Sequence, residues 1–139
     1  MQRLLSSTRH SGTPESPTPG DLIRNMVTEL SSRHPQSWVT FETKRAKHFA
    51  EVAEEPDSLV VYVAYPFSED YPTLFARHGL VIPDGWQIKK FRKKRWCIGG
   101  GMILKTRPGD RERVINFLER LFPALYGVGS DYKLSGYFQ

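Results

Sequence analysis

Apolar positions recur along this chain with two periods, and each change of period marks an element. Leu22, Ile23, Met26, Val27 and Leu30 recur at the spacing of one helix face. Thr18-Pro19-Gly20-Asp21 supplies the start: Thr18 caps, Pro19 suits the first helical position, and Asp21 lies at the positive end of the helix dipole. The helix must stop before Pro35, because the residue ahead of a proline is pushed out of the α region. Ser37 to Lys44 then alternates, with Trp38, Thr40 and Glu42 opposing Val39, Phe41 and Thr43. Arg45 to Ala53 alternates again, with Ala46, His48, Ala50 and Val52 opposing Lys47, Phe49 and Glu51; the short link predicts a hairpin. A turn at Glu55-Pro56-Asp57 leads to Leu59–Tyr65, the most apolar segment. It is too short and too β-branched for a helix and is predicted as a central strand.

A second helix is predicted from Ser68-Glu69-Asp70, with Leu74 and Phe75 facing inward and Gly79 as a left-handed stop. Ile82-Pro83-Asp84-Gly85 makes a turn. Trp86–Arg95 and Trp96–Lys105 follow as neighbouring strands, the second with Ile98, Met102 and Leu104 on one face. The last helix starts at Arg107-Pro108-Gly109-Asp110 and carries Val114, Ile115, Phe117, Leu118, Leu121, Phe122 and Leu125, with Pro123 expected to kink or end it. Tyr132 to Phe138 alternates as a terminal edge strand. The order helix, three strands, helix, two strands, helix, then a last strand predicts an α+β fold. Its mostly antiparallel sheet of five or six strands is packed by three helices.

The 139 residues suit one domain. Residues 1–17, rich in Ser, Thr, Pro and Gly, are expected as a disordered tail before a single domain at 18–139. Arg3 and Arg9, with no acid before Glu15, share the composition of a transit peptide, but Leu4 and Leu5 are its whole apolar part. No apolar run approaches the roughly 20 residues of a membrane span. One cysteine, Cys97, forms no internal disulfide, and a reducing, cytoplasmic setting is expected.

The charge changes the picture at one place. The net charge is +5, and Lys89, Lys90, Arg92, Lys93, Lys94 and Arg95 alone account for the excess. In strand geometry Lys90, Arg92 and Lys94 share a face with Trp86, Ile88 and Trp96, and Lys89, Lys93 and Arg95 share the other with Phe91. These residues are the candidate binding site. A solvated edge strand explains the lysines without any ligand. An acidic protein segment would complement the charge. Nucleic acid would be held by phosphate contacts, with Trp86, Phe91 or Trp96 stacking on bases.

Catalytic chemistry finds little support. Gly99-Gly100-Gly101 has neither the Lys-Ser/Thr pair of a phosphate loop nor a following helix, and reads as a packing or bulge feature. Of His10, His34, His48 and His78, only His48 is placed to approach Cys97, which reads better as a core thiol. Glu54-Glu55 and Glu69-Asp70 fit a turn and a helix start. No cofactor or metal is implied, and no enzyme activity is expected.

SWVTFE as an early strand, LFARHGLVIPDGW as helix, turn and strand entry, and VINFLERLF as closing helix resemble the type III secretion chaperone-like group, which includes TY-Chap and YbjN-type bacterial domains. The resemblance spans about Thr18 to Leu125. It implies a non-catalytic, chaperone-like or adaptor-like domain that binds proteins or peptides, often as a homodimer. The basic charge departs from the acidic habit of secretion chaperones. A nucleic-acid-binding protein using residues 86–96 is the alternative expectation.

Overall fold

The computed structural model describes residues 2–4, 18–33, 37–43, 49–64, 71–91, 101–126 and 132–139. The elements are β1 (Gln2–Leu4), α1 (Pro19–Leu30), β2 (Trp38–Glu42), β3 (Phe49–Glu54), β4 (Leu59–Ala64), α2 (Tyr71–Arg77), β5 (Gln87–Phe91), β6 (Gly101–Lys105), α3 (Arg111–Tyr126) and β7 (Ser135–Phe138). The strands form one sheet in the order β1-β7-β2-β3-β4-β6-β5, and every pairing is antiparallel. This is the predicted α+β arrangement, with β4 inside the sheet and β5 beside β6 at its edge. The sheet reaches seven strands because Gln2–Leu4, inside the segment read as a tail, pairs with β7.

The helices form where the sequence supplies both a cap and a stripe. Thr18 Oγ1 accepts from the Asp21 amide at 3.1 Å, and Leu22, Ile23, Met26, Val27 and Leu30 are all buried. The stripe of α1 is therefore used against the sheet rather than kept for a peptide or a second copy. Leu74 and Phe75 of α2 enter the same core, and Gly79 closes that helix with a φ of +68°. Helix α3 packs against α1 and carries the longest buried stripe, from Val114 to Leu125. Of the two outcomes expected at Pro123, an end is not seen, since the helix runs through it to Tyr126. The proline removes one amide donor near the end of the helix, and the last turn is retained because Leu125 is buried in the core.

Two polar ties set how the layers meet. Arg24 on α1 makes a two-pronged contact with Glu112 on α3, at 2.9 and 2.6 Å. Arg111, at the start of α3, donates to the Val27 carbonyl of α1 and to Glu54 Oε1 of β3, the latter at 2.7 Å. The first pair is exposed and fixes geometry more than it adds stability.

Strand β7 was expected at an edge, but it lies between β1 and β2. Gly136 explains why so small a residue stands there. A Cβ at that position would overlap Met26 Sδ and come within 3.2 Å of Phe41 Cδ1, so the glycine lets α1 settle on this part of the sheet. No helix among the described residues is long and apolar enough to cross a membrane.

Candidate functional site

Strand alternation gives the sheet two unlike faces. Val39, Phe41, Ala50, Val52, Val61, Val63, Met102, Leu104 and Phe138 point to the helices and are buried in the main core. The intervening positions point the other way. The pairing registers align them across the sheet, so that Lys89, Ile103, Tyr62, Glu51, Thr40 and Tyr137 form one continuous cross-strand row.

On this second face lies a groove of about 560 Å³, within the range of ligand-sized sites. Trp38, Phe49, Tyr62 and Tyr137 supply aromatic wall, and Glu42 and Glu51 supply carboxylates. Thr40, Ala53 and Gln139 complete the lining. Trp38 is 37% exposed, which is unusual for so large an apolar ring. Among the described residues no Lys or Arg lines the groove, although the chain as a whole carries +5.

The polar groups of the groove are ordered among themselves. Gln139 Nε2 donates to Thr40 Oγ1 at 2.8 Å, and Thr40 Oγ1 donates to Glu51 Oε2 at 2.8 Å. Thr40 thus reaches the carboxylate directly, and Gln139 acts on it only through the Thr40 hydroxyl. Tyr137 donates to Glu42 Oε2 across 3.4 Å. Burial pushes the Glu51 carboxyl above its ordinary value, and the Thr40 hydrogen bond only partly opposes that. Burial, together with the charges of Glu55 and Glu51, also raises the Tyr62 phenol. Glu51 is therefore a carboxylate whose own protein solvates it incompletely.

The basic strip is placed only in part. Lys89 is exposed on β5, and the backbone of Lys90 and Phe91 pairs with Met102 and Gly101. Arg92, Lys93, Lys94, Arg95 and Trp96 lie outside the described residues, as do Cys97, His10, His34 and His48. Trp86 is a correction. It was read as a stacking ring, but it is 7% exposed. Its indole N–H donates to Asp110 Oδ2 at 2.8 Å, and its ring meets Phe117 edge-on at 5.4 Å. Trp86 anchors the entry to β5 against α3 and has no free face for a base.

Glu54 of the Glu54-Glu55 pair is engaged by Arg111, and the Glu55 and Ser58 backbones close the β3–β4 turn. Among the described residues no group of His, Cys, Asp or Glu is arranged to hold a metal ion. A smaller cleft of about 420 Å³ beside α3 mixes Asp84 with Arg113 and Arg120 and has no consistent charge. The groove residues escaped the sequence reading because each strand shows only its own alternation. The one local signal was Trp38, Thr40 and Glu42 sharing a face, an aromatic ring beside two polar side chains and no aliphatic one.

The chain matches no known protein-family profile, no curated protein and no solved structure.

Proposed function

We propose that this protein is a non-catalytic binding module, chaperone-like or adaptor-like, that receives a segment of another protein on the helix-free face of its sheet. The observation that carries this reading is the groove itself. It has the volume, the exposed indole and the mixture of rings and hydrogen-bonding groups that peptide recognition uses. The element order from α1 to α3 is the one that the resemblance to secretion chaperone-like domains implies, and that kinship is part of the proposal. Because the charged groups among the groove's described residues are carboxylates, the segment it suits is basic. The acidic partner expected earlier would belong to the strip at residues 89–95 instead.

A membrane-bound array of short peptides, probed with the folded chain and with a Trp38→Ala/Tyr62→Ala variant, tests the reading. A set of basic peptides should retain the parent protein and not the variant. Equal retention of both proteins, or of neither, would remove the groove from the function. The exposed Lys89 on edge strand β5 favours a second reading, nucleic-acid binding. A single-stranded oligonucleotide run beside the array addresses it. Salt-sensitive binding lost in Arg92→Ala/Lys93→Ala/Lys94→Ala and kept in the groove variant would favour nucleic acid over peptide.

A further inference from the structure

We infer that the groove selects one positively charged side chain of its peptide, a guanidinium or an ammonium, and seats it against Glu51 between the rings of Trp38, Tyr62 and Tyr137. This rests on the peptide-binding reading and names the group that reading leaves open.

Charge complementarity is the first argument. In a chain of net charge +5, the ionisable carboxyl groups among the described residues lining this groove are Glu42 and Glu51, and no described Lys or Arg joins them. An acidic side chain would be repelled and a neutral one would gain at most a hydrogen bond, whereas a cation meets a preformed counter-charge.

Geometry is the second. Glu51 occupies the middle of the cross-strand row, flanked by Thr40 on β2 and Tyr62 on β4. Thr40 is 2% exposed, and its hydroxyl takes Oε2 of Glu51 at 2.8 Å while Gln139 holds that hydroxyl from behind. The donors Gln139 and Thr40 fix the rotamer of Glu51 through one oxygen, which leaves Oε1 as the acceptor for a ligand N–H. Thr40 and Gln139 are thus positioning residues that need not touch the ligand.

The walls are the third. Ring faces attract cations through their quadrupole, and the attraction grows where water is excluded. Trp38 and Tyr62 stand on either side of Glu51 in strand order, on β2 and β4, and Tyr137 on β7 extends the wall. The incomplete solvation of Glu51 agrees with this arrangement, since a bound cation would supply what the protein withholds.

The test uses four capped pentapeptides that differ only in the central residue: arginine, its neutral isostere citrulline, lysine, and norleucine. Binding is followed by the Trp38 indole N–H resonance, assigned by its loss in Trp38→Phe. The arginine and lysine peptides should bind about tenfold or more tightly than their neutral counterparts. Glu51→Gln, which keeps the acceptor for Thr40, should erase that ratio while the thermal transition stays cooperative. Thr40→Val, which removes the donor that holds Glu51, should reduce the ratio without abolishing it.

Equal binding of arginine and citrulline peptides would overturn the inference while leaving a peptide groove in place. Discrimination that survives in Glu51→Gln would overturn the role of Glu51. If none of the four peptides moves the Trp38 signal and the array is also blank, the peptide-binding reading falls with it.

Discussion

Replacing Trp86 with phenylalanine separates a structural tryptophan from a ligand-stacking one. The indole N–H donates to a carboxylate at 2.8 Å, and hydrogen bonds to charged acceptors contribute about 1.5–3 kcal/mol. Asp110 would not be orphaned, because the Arg107 amide still donates to it at 3.2 Å and Arg113 lies 3.8 Å away. The lower half of that range therefore applies. The smaller ring also leaves a void of roughly 40 Å³ against Phe117, which adds about 1 kcal/mol. The expected loss is about 2.5–3.5 kcal/mol, a sizeable share of the stability of an ordinary domain. For a chain of this size it lowers Tm by roughly 10 °C.

Thermal unfolding followed by circular dichroism measures this directly, and a double-mutant cycle with Asp110→Ala should return a coupling of about 1–2 kcal/mol. Acid adds a second check. Partial burial works against the Asp110 charge, but the Trp86 indole, the Arg107 amide and the nearby Arg113 and Arg107 charges outweigh it and hold the carboxyl below its ordinary value. That stabilisation is present above the ordinary carboxylate pKa of 3.8 and is lost as pH falls through the lower native value. The acid loss should shrink in Trp86→Phe. A Tm change under about 2 °C, with oligonucleotide binding reduced instead, would refute the structural role.

Other outcomes follow from the same geometry. Glu51→Gln should raise stability near neutral pH while it weakens cation binding, an opposition expected of a group kept for function. Burial raises the native pKa of Glu51, so stability is greatest below the ordinary value of 4.5 and declines as pH rises through the native pKa, and the variant should lose that decline. Denaturant titrations across that pH window, with Glu42, Glu55 and Tyr62 unchanged, would show it. Gly136→Ala should cost about 1–3 kcal/mol through overlap with Met26, and the same substitution should cost less when made in a Met26→Ala background. Tyr132, pushed up to about 12 by burial and by the charge of Glu119, should stay protonated in an alkaline spectrophotometric titration after exposed tyrosines have ionised.

The fold was legible wherever local signals sufficed. Thr18, Pro19 and Asp21 announce α1, the stripe from Val114 to Leu125 announces α3, and alternation from Trp38 to Glu42 assigns those side chains to two faces. What local patterns lack is register. Gln139 reaches Thr40 across 99 positions of sequence, and Tyr62 joins Glu51 only because β4 pairs with β3 in one register of several conceivable ones. The groove is a product of those pairings and has no contiguous motif.

Trp86 shows the converse. Next to a basic run, an aromatic residue resembles a stacking platform. Its burial is decided by Asp110 and Phe117, which arrive from α3. The place of β7 was hidden for the same reason, since pairing of Gln2–Leu4 with a strand so distant in sequence leaves no mark in either segment's pattern. Pro123 does not end its helix. A proline near the end of a helix costs one hydrogen bond, and a buried Leu125 two residues later holds the backbone in place.

The central claim is that the open sheet face is a groove for a cationic side chain. Titration of the arginine and citrulline peptides into the parent protein and into Glu51→Gln, read at the Trp38 indole, tests it most directly. The expected result is about tenfold tighter binding of the arginine peptide to the parent protein and no difference in the variant. Equal affinities for the two peptides in the parent protein would contradict it.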